Sequence, residues 1–465
     1  MAPRWKLMVE GLGKIEHAEV EVRPLMLFVG ENNSGKSYLA SVLWGLLASA
    51  EPLVAPDAAT AAPWAACRNW LQQRLEARTK ATSWYQITRE DRALLGDAFN
   101  EIFAARKDDF VRQIFNSGSA TIARIKVDIA SHEEPVSLGM EDDPSSSDGD
   151  VVHVNVMGQG MTLATGVSVR EKDKSLSKDR IIPFLLNLTM LGSAGGSVAR
   201  GEGPRYVRDP IFLPASRTGF MLLYKALISR QIRQLRQVER DREARFDLTS
   251  PAIQFAELLA VDLKNEKGNY REEADFLEAG IGGRVELVTG AVGVNEYVYY
   301  PAGSETPLTM AMSSSLVTEL APIILVLRHM AGFPVLILEE PEAHLHPKLQ
   351  RRLAQVIVRL IRKGLYVWIT THSENFCQQI NNFMKLGALE PSRRAEALQK
   401  LGYGEQDYLD LEDVTGYQFT LDGTGKHSTV TELKKTGRGM VMPTFNKELI
   451  DLSREIDFLD QQDSE

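Results

Sequence analysis

The chain has 465 residues, enough for two or three domain-sized units and a large buried core. With 44% apolar and 25% charged residues it has an ordinary globular composition, and a net charge of -9 rules out a polycation, so any DNA contact would need a local basic patch. Cys67 and Cys377 form no C-x-x-C pair, the N-terminus has no secretory apolar core, and the apolar runs at 43–50 and 321–327 are too short for a bilayer, so the expectation is a reduced, cytoplasmic protein with no membrane partner.

Residues 5–22 alternate as a β-hairpin does, with Gly11-Leu12-Gly13 as the turn. Pro24 sets off an apolar run of strand length at 25–29, and 38–47 has helical apolar spacing. Between them stands GENNSGKS, Gly30 to Ser37, which reads G-x-x-x-x-G-K-[ST], the phosphate-cradling loop. Gly30 and Gly35 let the backbone curl until successive N–H groups face phosphate oxygens, and the helix that follows adds its positive end. Lys36 can reach the β- and γ-phosphates, and the Ser37 hydroxyl can hold Mg2+. The expected ATP-binding set here is Gly30, Asn33, Ser34, Gly35, Lys36, Ser37 and Tyr38. A plain Gly-rich turn would not explain a Lys-Ser pair at a helix start.

From 51 to 118 the pattern is helical, around Trp64, Trp70, Leu71, Phe99, Phe103 and Phe110, and strand-like runs follow at 120–130, 151–156 and 166–169. The acidic, Ser-rich stretch 140–150 reads as a solvated loop rather than a metal site. After a Gly-rich segment at 191–204, a strand at 206–213 ends in Pro214-Ala215-Ser216-Arg217, and a long helical stretch runs to about 279. Within it Arg230, Arg233, Arg236, Arg240, Arg242 and Arg245 allow two readings. One is a basic face for a nucleic-acid backbone or an acidic partner; the other, favoured by the interleaved acids, is a solvated, salt-bridged helix.

A buried-strand run at 333–338 ends in Glu339-Glu340-Pro341-Glu342. Acids delivered at the carboxyl end of an apolar strand are what a nucleotide hydrolase needs for its metal and its attacking water. Glu339 is assigned to the Mg2+ shell and Glu340 to the group that deprotonates water. A third apolar strand, 365–369, ends in Thr370-Thr371-His372-Ser373, and His372 is read as the γ-phosphate sensor. The catalytic pair is thus Glu340 and His372, and the metal pair Ser37 and Glu339.

The set GENNSGKS, SSSLVTEL, LILEEPEAHLHP and THS resembles the ABC-class ATPase heads of the RecF/SMC/OLD-type superfamily, and most of all the stand-alone prokaryotic OLD-like AAA ATPases. The resemblance covers about 1–47 and 211–373. It implies an α/β fold, an ABC-type P-loop ATPase head with a mixed or parallel sheet, flanking helices and an N-terminal antiparallel β-hairpin. A helical insertion and a small β-rich C-terminal part complete it. The implied partition is an ATPase lobe at 1–50, an insertion at 51–205, a strand plus helical arm at 206–300, a second ATPase lobe at 301–385 and a tail region at 386–465. In such heads a signature serine and helix N-terminus of one subunit close over ATP held by another, which places Ser313 and Ser314 at the nucleotide of a homo-oligomer. No Gln suits the metal-contacting loop, and Arg217 stands as the group that reaches the nucleotide instead. Ala343-His344-Leu345-His346 would line the seam between subunits rather than bind a metal. The helical stretch is too short for SMC arms, and the tail too short for a Toprim nuclease. The resemblance therefore implies ATP and Mg2+ as cofactors and control of a separate effector, a nuclease or toxin encoded nearby, in anti-phage defence. A RecF-like DNA-binding repair ATPase and a slow nucleotide-sensing scaffold are the alternatives.

Overall fold

The computed structural model describes residues 5–48, 62–77, 83–130, 137–142, 151–158, 161–168, 182, 190, 209–223, 248–260, 268–289, 295–437 and 439–462. Lys6–Leu12 (β1) and Ile15–Glu21 (β2) form the expected hairpin, with Leu7 opposite Val20 and Val9 opposite Ala18, but it turns at Gly13-Lys14 because Leu12 still pairs with Ile15. Leu25–Gly30 (β3) and Lys36–Ala48 (α1) flank the phosphate loop as anticipated. Ala62–Glu76 (α2) and Arg89–Phe115 (α3) supply the helical stretch, separated by a strand, Ser83–Gln86 (β4), that periodicity did not indicate. Arg124–Asp128 (β5) joins the edge of the hairpin.

Ser137–Asp142 (β6), Val151–Gly158 (β7) and Met161–Ser168 (β8) complete a four-stranded antiparallel sheet with β4. Residues 140–142, expected in a loop, are therefore strand, because Met140 pairs with Val154 and Asp142 with Val152. The next strand, expected over 206–213, is Ile211–Leu213 (β9), with Asp209 and Pro210 outside it, followed by Ser250–Ala260 (α4) and Arg271–Glu278 (α5). The Arg-rich stretch Arg230 to Arg245 and the Gly-rich segment 191–204 lie outside the described residues.

Beyond the helical stretch read to about 279, Gly283–Thr289 (β10), Asn295–Pro301 (β11) and Leu308–Thr309 (β12) form a three-stranded antiparallel sheet. Its alternation of Val285, Tyr297 and Tyr299 inward suits a pleated, half-covered surface, not a helix. Then come Ser315–His329 (α6), Val335–Glu339 (β13), Pro347–Arg362 (α7), Tyr366–Thr371 (β14), Glu374–Gly387 (α8) and Pro391–Leu401 (α9). Val414–Leu421 (β15), Ser428–Glu432 (β16), Lys435–Thr436 (β17), Gly439–Met440 (β18) and Pro443–Gln462 (α10) close the chain.

Nine strands make one mixed sheet in the order β5-β1-β2-β16-β15-β3-β14-β13-β9. Its parallel core is β15-β3-β14-β13-β9, and the β-rich tail is not peripheral, since β15 lies directly against β3. Each core strand is buried on both faces, which explains why the sequence reads as unbroken apolar runs. The faces still alternate. Met26, Phe28, Ile337 and Trp368 pack with α1, α2 and α3, while Leu27, Val29, Leu338 and Ile369 pack with α6, α7 and α8. Each fully buried Leu, Ile or Phe contributes roughly 1.5–3 kcal/mol. Among the described residues no helix is long and apolar enough to cross a membrane.

The register sets the site. Thr371 pairs with Val29, Thr370 with Glu339, and Leu338 with Leu213, so the carboxyl ends of four core strands finish along one edge. Gly30 stands at that edge with φ 141°, and a Cβ there would collide with the Phe419 carbonyl of β15. Only glycine fits between the two strands.

Candidate functional site

Lys36 enters α1 almost fully buried, and its amine donates to the carbonyls of Gly30 (3.0 Å) and Glu31 (2.6 Å). Burial pulls its pKa down from 10.5 to about 8, against the opposing pull of Glu340, Glu342, Glu31 and Glu339. Ser34, also buried, donates its hydroxyl to the Glu31 carbonyl (2.7 Å) and braces the loop from within. Asn33 takes the left-handed conformation at φ 59°, and Gly35 has φ 100° with Ile15 of the hairpin against it. The hairpin thus packs under the loop and helps hold its curl.

Glu339 is the last residue of β13 and nearly buried. Burial raises its carboxyl above the usual carboxylate range, while hydrogen bonds from the Ser37 hydroxyl and from Ala215 N–H (3.2 Å) act the other way. The hydroxyl and the carboxylate are hard oxygen donors side by side, the chemistry Mg2+ takes. Among the described residues no group of three or more His, Cys, Asp or Glu could hold an ion. The Ser37 hydroxyl and the Glu339 carboxylate fit a cation whose remaining ligands are phosphate oxygens and water. His346 caps α7, accepting from Lys348 N–H (3.3 Å).

Glu340 turns out of the strand at φ 43°, a conformation that costs a non-glycine residue about 1–3 kcal/mol. Its N–H donates to the Thr370 carbonyl (2.8 Å) and its carboxylate meets His372 Nε2 at 2.6 Å. His372 Nδ1 lies 3.0 Å from the Gly30 carbonyl, so both ring nitrogens face oxygen atoms of the site. The hydrogen bond from His372 holds the Glu340 carboxyl below the usual range and keeps it ionised.

Sequence reasoning missed Glu342 as a site residue. It is nearly buried, and its Oε1 accepts from the Thr371 hydroxyl (2.6 Å), His372 N–H (2.9 Å) and Ser373 N–H (3.2 Å). One carboxylate therefore shapes the turn that presents His372. The pattern E-E-P-E contained the residue, but nothing in it pointed to a loop thirty residues on.

The structure brings Gly30, Asn33, Ser34, Gly35, Lys36, Ser37, Glu339, Glu340 and His372 to one edge. The Tyr38 ring leaves the loop and stacks on Phe115 at 4.6 Å. Arg217 requires a correction. It is fully buried, its donors are taken by the carbonyls of Pro214, Glu319, Glu339 and Glu340 and by the Glu319 carboxylate, and it is not free to reach a nucleotide. Ser313 and Ser314 stand apart from the loop: Ser313 donates to the Thr309 carbonyl (3.0 Å), and Ser314, exposed at the start of α6, makes no side-chain cap.

A protein-family model described as "AAA domain, putative AbiEii toxin, Type IV TA system" matches residues 209–377, less than half of the chain. That span holds Arg217, Ser313, Ser314, Glu339, Glu340 and His372. No curated protein matches the chain in sequence. Among solved structures, an SMC head bound to the C-terminal winged-helix domain of ScpA aligns at 13% identity, over 92% of this chain and 97% of the other, with a TM-score of 0.37. The SMC head domain from Thermotoga maritima aligns at 9% identity over 93% and 100%, with a TM-score of 0.33. An SMC head from Pyrococcus furiosus with an extended coiled coil, bound to the C-terminal domain of ScpA, aligns at 12% over 98% and 100%, with a TM-score of 0.36. Scores this low carry no argument. Residues 209–377 are thus similar to an AAA domain, and the strand–loop–helix at 25–48 lies outside the matched span.

Proposed function

We propose that this chain hydrolyses ATP to ADP and phosphate, assembles through nucleotide sites shared between subunits, and thereby controls a separate effector. The observation that carries the hydrolytic reading is the Glu340 carboxylate 2.6 Å from His372 Nε2, with the other ring nitrogen on the Gly30 carbonyl of the phosphate loop. A base for water is thus tied to the loop that binds the phosphates. In the reaction, water attacks the γ-phosphorus, Glu340 takes its proton, and the bond to the ADP oxygen breaks. Lys36 and the loop N–H groups bind the phosphates, and His372 orients Glu340 and contacts the γ-phosphoryl group. Ser37 and Glu339 would hold Mg2+, which when bound neutralises charge on the phosphate oxygens.

Ser314 supports the shared-site reading. It is exposed at a helix N-terminus, where anions are favoured, and its hydroxyl is not spent on a cap. The effector is a nuclease or toxin, and the setting is prokaryotic anti-phage defence in the cytoplasm, a reading supported by the motif resemblance and by the family match over 209–377.

Phosphate release by the wild-type protein and by Glu340→Gln, with the native mass of each in ATP and Mg2+, tests the proposal. Turnover in the wild type, its loss in the variant, and an ATP-dependent rise in the variant's mass are expected. Equal turnover in both overturns the base assignment, and a mass unchanged by ATP overturns the shared site.

A further inference from the structure

Arg217 follows the Ala215–Ser216 turn after β9, begins a helical segment and is wholly buried. A guanidinium has five N–H donors in a rigid plane, and here it makes four hydrogen bonds to carbonyls and one ion pair. Nε donates to the Glu319 carbonyl (3.2 Å). One terminal nitrogen donates to the carbonyls of Pro214 (3.0 Å) and Glu339 (2.6 Å). The other donates to the Glu340 carbonyl (3.0 Å) and lies 2.9 Å from the Glu319 carboxylate. Glu319 belongs to α6, is 2% exposed, and also accepts from Thr218 N–H (3.2 Å). The hydroxyls of Thr218 and Thr318 meet at 2.8 Å.

A single side chain is therefore bonded to the backbone of both strand-end acids and to the second turn of the helix that starts at Ser315. A buried ion pair is weak evidence for stability, since desolvation offsets most of its attraction. What this pair does provide is geometry. Glu340 holds a left-handed backbone conformation with its N–H on Thr370 and its carbonyl on Arg217, so its peptide groups are held from both sides.

We propose that Arg217 is a positioning residue that couples α6 to Glu340. A contact made at the N-terminus of α6 moves Glu319, Glu319 moves the planar guanidinium, and the guanidinium moves the Glu340 carbonyl. A shift of the helix reaches the strand end because Nε is bonded to the Glu319 carbonyl while the terminal nitrogens are bonded to the carbonyls of Glu339 and Glu340 in the same rigid plane. The inference rests on Glu340 as the hydrolytic base. It assigns to Arg217 a role behind the site, where no nucleotide contact is needed.

The test uses Arg217→Lys, which keeps the charge and loses the fork, beside Glu319→Gln, which keeps the volume and a hydrogen-bonding group while removing the charge. ATP affinity, kcat and KM are measured separately, together with thermal stability. Hydrogen exchange of segments 315–329 and 339–346 is followed in protein without nucleotide. Arg217→Lys is expected to lower kcat about tenfold or more, leave ATP affinity within about twofold, and let the two segments exchange independently where in the wild type they open together. An unchanged kcat in a folded variant overturns the proposal. So does a loss of affinity at unchanged kcat, which would make Arg217 a nucleotide contact. If Arg217→Lys fails to fold, Glu319→Gln and Thr318→Val carry the same measurements. If the wild type shows no turnover, the ATPase reading falls, while the exchange experiment still decides whether α6 and the acids are coupled.

Discussion

The carboxyl edge of the parallel core and the N-terminus of α6 carry the two halves of the candidate site, and they are built differently. At the edge the charged side chains hold one another and the loop backbone. Lys36 reaches two loop carbonyls, Glu340 and His372 meet at 2.6 Å, and Glu342 holds three donors of the Thr371–Ser373 turn. At α6, Met312 is 70% exposed and the Ser314 hydroxyl makes no cap. The first half is preorganised, so electrostatic effects there cost little rearrangement during reaction. The second is joined to the first through Arg217 and Glu319, not through the loop.

Four measurements sharpen or break that contrast, the largest effect first. Glu340→Gln should slow phosphate release about a thousandfold, the scale of a lost general base, with ATP still bound; a rate near wild type would move the chemistry elsewhere. Lys36→Ala should weaken ATP binding on the order of a hundredfold, since a charge-assisted contact worth about 1.5–3 kcal/mol disappears. Calorimetric titration reads this, and undiminished affinity would remove the phosphate loop from the argument. Ser314→Ala should lower turnover about tenfold at unchanged melting temperature if, as proposed, its hydroxyl bonds a phosphate and not the helix. A drop in melting temperature at constant turnover would show that Ser314 is only a cap.

The fourth concerns pH. Burial lowers the Lys36 pKa to about 8, so the folded protein holds fewer protons at Lys36 than the unfolded chain between about 8 and 10.5. The desolvation cost is present in full below pH 8 and shrinks as pH rises through that window. Phosphates restore the charge, so ATP binding near pH 8–9 should take up a proton, and affinity should fall with rising pH by at most about tenfold per unit. Titrations in buffers of different ionisation enthalpy would reveal the uptake; none at pH 8.5 would contradict the burial of this amine.

Much of the site was legible because its signals are local. G-x-x-x-x-G-K-S spans eight residues, and each of three apolar strands runs straight into its functional group, at Glu339-Glu340, at His372 and at Gly30. Arg217 was misread for the opposite reason. A polar residue in a Pro-rich turn after a strand looks available, and its burial depends on Glu319, about a hundred residues away. Glu342 was passed over because its donors lie on another strand's turn. The sheet at 283–309 lies beyond the helical stretch read to about 279, and its strands pair only with one another.

By itself the sequence determined the phosphate loop, the hairpin before it, the buried strands and the acids and histidine at their ends. Those features are short-range, written in spacing and in backbone preference. Only the tertiary structure decided the strand order, which puts the C-terminal β15 beside Gly30 so that a side chain there would strike Phe419. It also decided which charges are buried in partnership and which are free. Both depend on contacts between residues far apart in the chain, and periodicity within one segment holds no record of the partner it will meet.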